Sequence, residues 1–194
     1  MKKAFLLMVA CAFAFVSAQA QSSEVEAFTQ STKAQQFKDK NSFIKETKIY
    51  KYATSPTVLY PHCLSMSANI FTDLKSGEQV AALEFGCTIT GFIGYLDMDQ
   101  VDDLVLALET ISNEFNNSDK KDNYTISYTA PGGIDVFSTH KDVIFRKKWI
   151  VTNEFGIQTD QYGTSLAIIP AKTIEKVISS IKEAQTIAKQ SLGQ

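Results

Sequence analysis

The side chains best suited to nucleophilic, acid–base or zinc chemistry are His62 and His140, with Cys11, Cys63 and Cys87. The two histidines lie far apart in the chain. A zinc site needs further ligands at short spacing around them, and there are none. A serine or cysteine nucleophile needs a base within hydrogen-bond reach. His62 and Cys63 are adjacent, and neighbours on a strand point to opposite faces, so they form no dyad. Gly-x-Ser-x-Gly, His-Glu-x-x-His, the P-loop and the dinucleotide fingerprint do not occur. The expectation is a chain with no catalytic residue, no cofactor-binding residue, no metal ligand and no cofactor.

Asp97, Asp99, Asp102 and Asp103 form the densest acidic group, and alternating carboxylates suit calcium. Counted from Asp97, however, the glycine and glutamate positions of an EF-hand loop hold Asp102 and Leu108. The better reading is a helix start, with Asp99 as cap and Asp102 and Asp103 in the first turn. Lys141, Arg146, Lys147 and Lys148 beside Trp149 could dock an anion or a glycan. The plainer expectation is a strand with Val143, Phe145 and Trp149 inward and Arg146 and Lys148 outward, guarding a sheet edge. Tyr50, Tyr52, Tyr60 and Tyr95 could line a ligand surface or sit half-buried in strands.

Strand parity speaks to the cysteines. Leu64, Met66, Ala68 and Ile70 are apolar and even-numbered, leaving Cys63 with Ser65 and Ser67 on the other face. On the partner strand Leu83, Phe85 and Cys87 are apolar and odd-numbered. Matching the apolar faces puts Leu64 opposite Cys87 and separates the thiols, unless a bulge at Gly86 shifts the register. The expectation is no bridge, with Cys87 buried and Cys63 half-exposed.

The elements that must hold these residues follow from length and pattern. Of 194 residues, 44% are hydrophobic and 21% charged, which excludes a disordered chain or a coiled coil. Lys2 and Lys3 precede an apolar run from Ala4 to Val16, and Ala18-Gln19-Ala20 completes a signal peptide over 1–20, cleaved after Ala20. Lipid attachment at Cys11 is disfavoured because Cys11 sits within the apolar stretch. Losing Lys2 and Lys3 takes the net charge from −2 to −4. That balance argues against nucleic acid as a partner. The apolar run is too short to span a bilayer, and an integral membrane protein is not expected.

A polar lead over 21–45, helical or loosely ordered, precedes a weak internal repeat. Glu84-Phe85-Gly86 recurs as Glu154-Phe155-Gly156. Val101, Leu104, Val105, Leu108 and Ile111 share one helix face, and Ile174, Val177, Ile178, Ile181 and Ala184 repeat the same spacing. The expected class is α+β: antiparallel sheet meanders in two similar β-meander-plus-helix halves, the two helices packed on the sheet and one helix closing each half. The first half spans 46–115, a polar linker 116–122, and the second half 123–194, together one compact unit. The expected strands are Thr47 to Thr54, Val58 to Thr72, Gln79 to Thr90 and Gly91 to Asp97. Those of the second half are Tyr124 to Thr129, Ile134 to Thr139, Val143 to Asn153 and Ile157 to Ile169.

With Ala18-Gln19-Ala20-Gln21, the entry Phe43-Ile44-Lys45-Glu46-Thr47, and Gly94-Tyr95-Leu96-Asp97-Met98-Asp99 running into Val101 to Glu109, the chain resembles the small, uncharacterised exported proteins of Bacteroides-type bacteria. The resemblance implies a periplasmic or extracellular address and a strand-rich fold ending in a helix, and it carries over no functional residue. The leading expectation is an exported, non-catalytic binding or interaction module of the cell envelope. Its ligand or envelope partner would use the sheet surface or the groove between halves. The alternative is an envelope hydrolase with a site assembled across both halves.

Overall fold

The computed structural model describes residues 31–55, 63–87, 91–117, 124–130, 134–145, 148–158 and 166–193. The signal segment, Tyr60, His62, Arg146 and Lys147 lie outside them, as do 118–123 of the linker region.

Within the polar lead, Lys33–Lys40 forms helix α1. Eight residues are too few for a stable helix in water, so its contacts must hold it. Thr32 Oγ1 accepts from the Gln35 amide at 3.2 Å. Ala34 and Phe37 bury themselves against Phe71, Ala82 and Tyr95. The helix stops where Asn41 turns extended and its side-chain amide donates to the Phe37 carbonyl at 3.0 Å.

Eight strands follow in two antiparallel meanders. Strands β1 (Ile44–Ala53), β2 (Leu64–Asp73), β3 (Gln79–Cys87) and β4 (Gly91–Asp97) pair in chain order. A short 3₁₀ turn, Met98–Gln100, leads into helix α2 (Val101–Asn117). Strands β5 (Tyr124–Ala130), β6 (Ile134–Phe145), β7 (Lys148–Gln158) and β8 (Leu166–Pro170) repeat the order. A second 3₁₀ turn, Ala171–Thr173, leads into α3 (Ile174–Ser191). The α+β class and the two meander-plus-helix halves are therefore present.

The helices do not close their own halves. Helix α2 packs chiefly on β5 and β6, whereas α3 lies across β1, β2 and β3. Each meander is covered by the other half's helix. An apolar stripe at helical spacing demands an apolar surface but does not say which one. The two helices also touch: Lys182 Nζ donates to Glu109 at 2.7 Å, and the Gln185 amide to Asp102 at 3.0 Å. One core results, in which Leu83, Leu104, Ile134, Ile169, Val177 and Ile181 are all fully buried.

Several boundaries move. The first strand begins at Ile44, inside the expected lead. One strand, β6, runs from Ile134 to Phe145 through the polar His140-Lys141-Asp142 that had suggested a break. The last strand is only Leu166–Pro170. A register shift between Lys48 and Tyr50 turns Ile49, Tyr50 and Tyr52 toward the core while Lys48 and Lys51 point away.

Candidate functional site

The acidic group has structural work. Asp97, buried on the last residue of β4, accepts from the backbone amides of Lys33 at 2.7 Å and Ala34 at 3.2 Å. It thus satisfies the first orphan donors of α1 from another element, an N-terminal cap supplied across the fold. It also begins the 3₁₀ turn, where its own amide reaches Gln100 at 3.4 Å. The cap is therefore Asp97 and not Asp99. Asp99 instead pairs with the Lys33 ammonium, which holds its carboxyl below the usual range and raises Lys33 in turn. Asp102 accepts from Gln185. Among the described residues no cluster of three or more His, Cys, Asp or Glu could hold a metal.

The cysteine register is as parity requires. Leu64 faces Cys87, and the β2–β3 pairing runs unbroken. The shift at Phe85/Gly86 belongs to the β3–β4 pairing. No disulfide joins Cys63 to Cys87. Cys63 is fully buried rather than half-exposed, because its backbone bridges Ile168 of β8 at the junction of the sheets.

The other candidates disperse. Tyr50 and Tyr52 pack against the core, where burial pushes both phenols up, and Tyr50 donates to Glu183 at 3.1 Å. Tyr95 stands edge-on to Phe71 with centroids 5.5 Å apart, under α1. Lys141 lies in β6, and Lys148 and Trp149 in β7. There the two strands pair only with each other among the described residues, because β5 reaches β6 no further than His140 and β8 reaches β7 only from Glu154. This stretch is a two-stranded ribbon with edges of the kind such charges guard. At the junction core side chains of both halves pack together. At its surface, concavities of about 390 and 190 Å³ are lined from both halves, one by Asp97, Asp99 and Asp102 with Lys189, the other by Tyr52 and Thr54 with Lys172 and Lys176.

One open surface among the described residues is the outer face of the first sheet. Helix α1 covers its β3–β4 side. Beside it, a concavity of about 420 Å³ is lined by Lys48, Lys51, Ala53, Ser65, Ser67 and Glu84, and also by Tyr52, which the sequence had offered as a ligand-lining side chain. Small side chains make the floor low. Gly86, opposite Ser65 in the register, deepens it; a Cβ there would come within 2.6 Å of Ser65 Oγ and 2.8 Å of the Gly91 carbonyl.

A polar network forms the rim. Lys48 Nζ donates to Glu84 at 2.8 Å, which raises the ammonium's pKa. The fully buried Asn69 donates to both Glu46 and Glu84 at 2.9 Å, leaving its Oδ1 without a partner among the described residues. Such a buried acceptor is uncommon. Exposed Lys51 enters no salt bridge among the described residues. Sequence reasoning missed this patch because the bulge that turns Lys48 and Lys51 to one face breaks strand alternation. Tyr52 among the candidate tyrosines, and the serines at 65 and 67, were its visible signs.

Among the described residues no helix is long and apolar enough to cross a membrane. No protein-family model matches the chain, and no curated protein matches it significantly.

Proposed function

We propose that this protein is an exported, non-catalytic binding module of the cell envelope that holds a carboxylate-bearing ligand on the outer face of its first sheet. The observation that carries the reading is the low, serine-floored concavity lined also by Lys51, whose ammonium enters no salt bridge among the described residues. Lys51 supplies charge, Ser65 and Ser67 supply hydroxyls, and Glu84 accepts from ligand donors. The thiols are withdrawn from such a ligand, since Cys63 and Cys87 are buried. The basic start and Ala18-Gln19-Ala20 support export.

The two halves are, in this reading, copies of one ancestral unit. Helices α2 and α3 begin 73 residues apart, at Val101 and Ile174, each after a three-residue 3₁₀ turn. Gly86 and Gly156 lie on the third strand of each meander. Each is backed by the residue opposite it on the second strand, Ser65 and Phe137, where a Cβ would collide.

The test is a thermal-shift screen of acidic oligosaccharides and acidic peptides, followed by calorimetry on the hits. Lys51→Glu is expected to weaken binding by roughly tenfold or more without moving the melting temperature of the free protein. Binding unaffected by Lys51→Glu would remove the site.

A further inference from the structure

The four sheet edges are treated differently. Edge strand β1 carries Lys45, Lys48 and Lys51 and an irregular register, both devices that discourage strand addition. Strand β4 has β6 beside it, and β8 is bridged to Cys63 and ends at Pro170. Strand β5 has none of this. Its sequence Tyr124-Thr-Ile-Ser-Tyr-Thr-Ala130 holds no charge and no proline, and its pairing with β6 runs without interruption. Among the described residues no strand pairs with its other edge.

Beside that edge lies a mostly apolar groove of about 490 Å³ between β5 and α2, lined by Leu106, Ala107, Ile111, Ile126 and Tyr128, with Asp103 as its charged lining residue. Leu106, off the buried stripe of α2, is 63% exposed. An unpaired edge specifies its occupant as another strand, and the groove requires that strand to bring apolar side chains.

We propose that the occupant is β5 of a second copy, joined antiparallel across a two-fold axis near Ser127. With Ser127 on the axis, Thr125 falls opposite Thr129 and Ile126 opposite Tyr128. Polar then meets polar on the exposed face, and apolar meets apolar beneath the helices. A charge-free strand meets its own copy without like-charge repulsion. The axis also places the two α2 helices on the same side of the joined eight-stranded sheet, so that each Leu106 fills the groove against the other copy. This surface is separate from the concavity on the first sheet, and the two readings stand or fall independently.

The test is sedimentation of the purified chain from low micromolar to high micromolar concentration. Hydrogen exchange is followed on β5 at both ends of the range. The wild type is expected to dimerise, with slowed exchange across 124–130 in the dimer. Thr125→Lys/Ser127→Lys and, separately, Leu106→Lys alter exposed side chains. They are expected to weaken the dimer by roughly tenfold or more while circular dichroism stays unchanged. A wild type monomeric throughout, a dimer with no added protection on β5, or a dimer indifferent to the paired lysines would overturn the proposal. So would a monomer whose β5 edge takes up an unrelated extended peptide.

Discussion

Asp97 adds, to the Thr32 cap that α1 provides for itself, a second cap supplied from β4. Its carboxylate binds two amides of a helix more than sixty positions earlier in the chain, and the side chain is buried. Asp97→Ala is expected to lower stability by about 1–2 kcal/mol. Faster hydrogen exchange across 33–40 would localise the loss, and an α1 that exchanges as before would refute the role. Asp73 organises the turn between β2 and β3 in a related way. The Ser76 hydroxyl donates to it at 2.7 Å, and the Lys75 and Ser76 amides at 3.1 and 3.2 Å, which hold its carboxyl below the usual range. A carboxyl depressed in the folded state stabilises above its unfolded pKa, and that contribution disappears as pH falls through the folded value. The amide resonances of Lys75 and Ser76 should therefore hold steady from neutral pH to about 4 and shift below it. In Asp73→Asn that step should be missing.

Among the elements, what could be read beforehand was what local pattern determines. Helices α2 and α3 present the expected stripes, with Leu104, Leu108, Val177 and Ile181 buried, and β4 spans Gly91–Asp97 as expected. Parity correctly set Leu64 against Cys87. What escaped was decided by tertiary contact. Helix α1 depends on Asp97 and on a cluster around Phe71, neither visible in its own residues. The continuity of β6 through His140 depends on pairing with Asn153 of β7 rather than on hydropathy. The concavity arose from a bulge, which no alternation rule foresees. The exchange of helices has a direct consequence for fragments. Residues 31–117 retain the first sheet but lose α3, and 124–193 retain the second sheet but lose α2. Each is expected to be unfolded or aggregated alone, and mixing should restore native-like circular dichroism. A folded 31–117 fragment would contradict the packing of α3 on β1–β3.

For the molecule as a whole, that exchange welds the halves. Their seam holds Leu64, Ala130, Ile134 and Ile169, all fully buried, so there is no hinge there for a ligand to open. In the readings proposed above, recognition falls to outward surfaces: the low basin on one sheet and the edge of the other that no strand pairs with among the described residues. Synthesis runs from the amino end, so β1–β4 emerge well before the eighteen residues that roof them. Until Ile174–Ser191 comes free, Leu64, Met66, Leu83 and Phe85 lack the helix that covers them. A newborn chain must wait with its oily side bare, and any product cut short before α3 inherits that stickiness permanently.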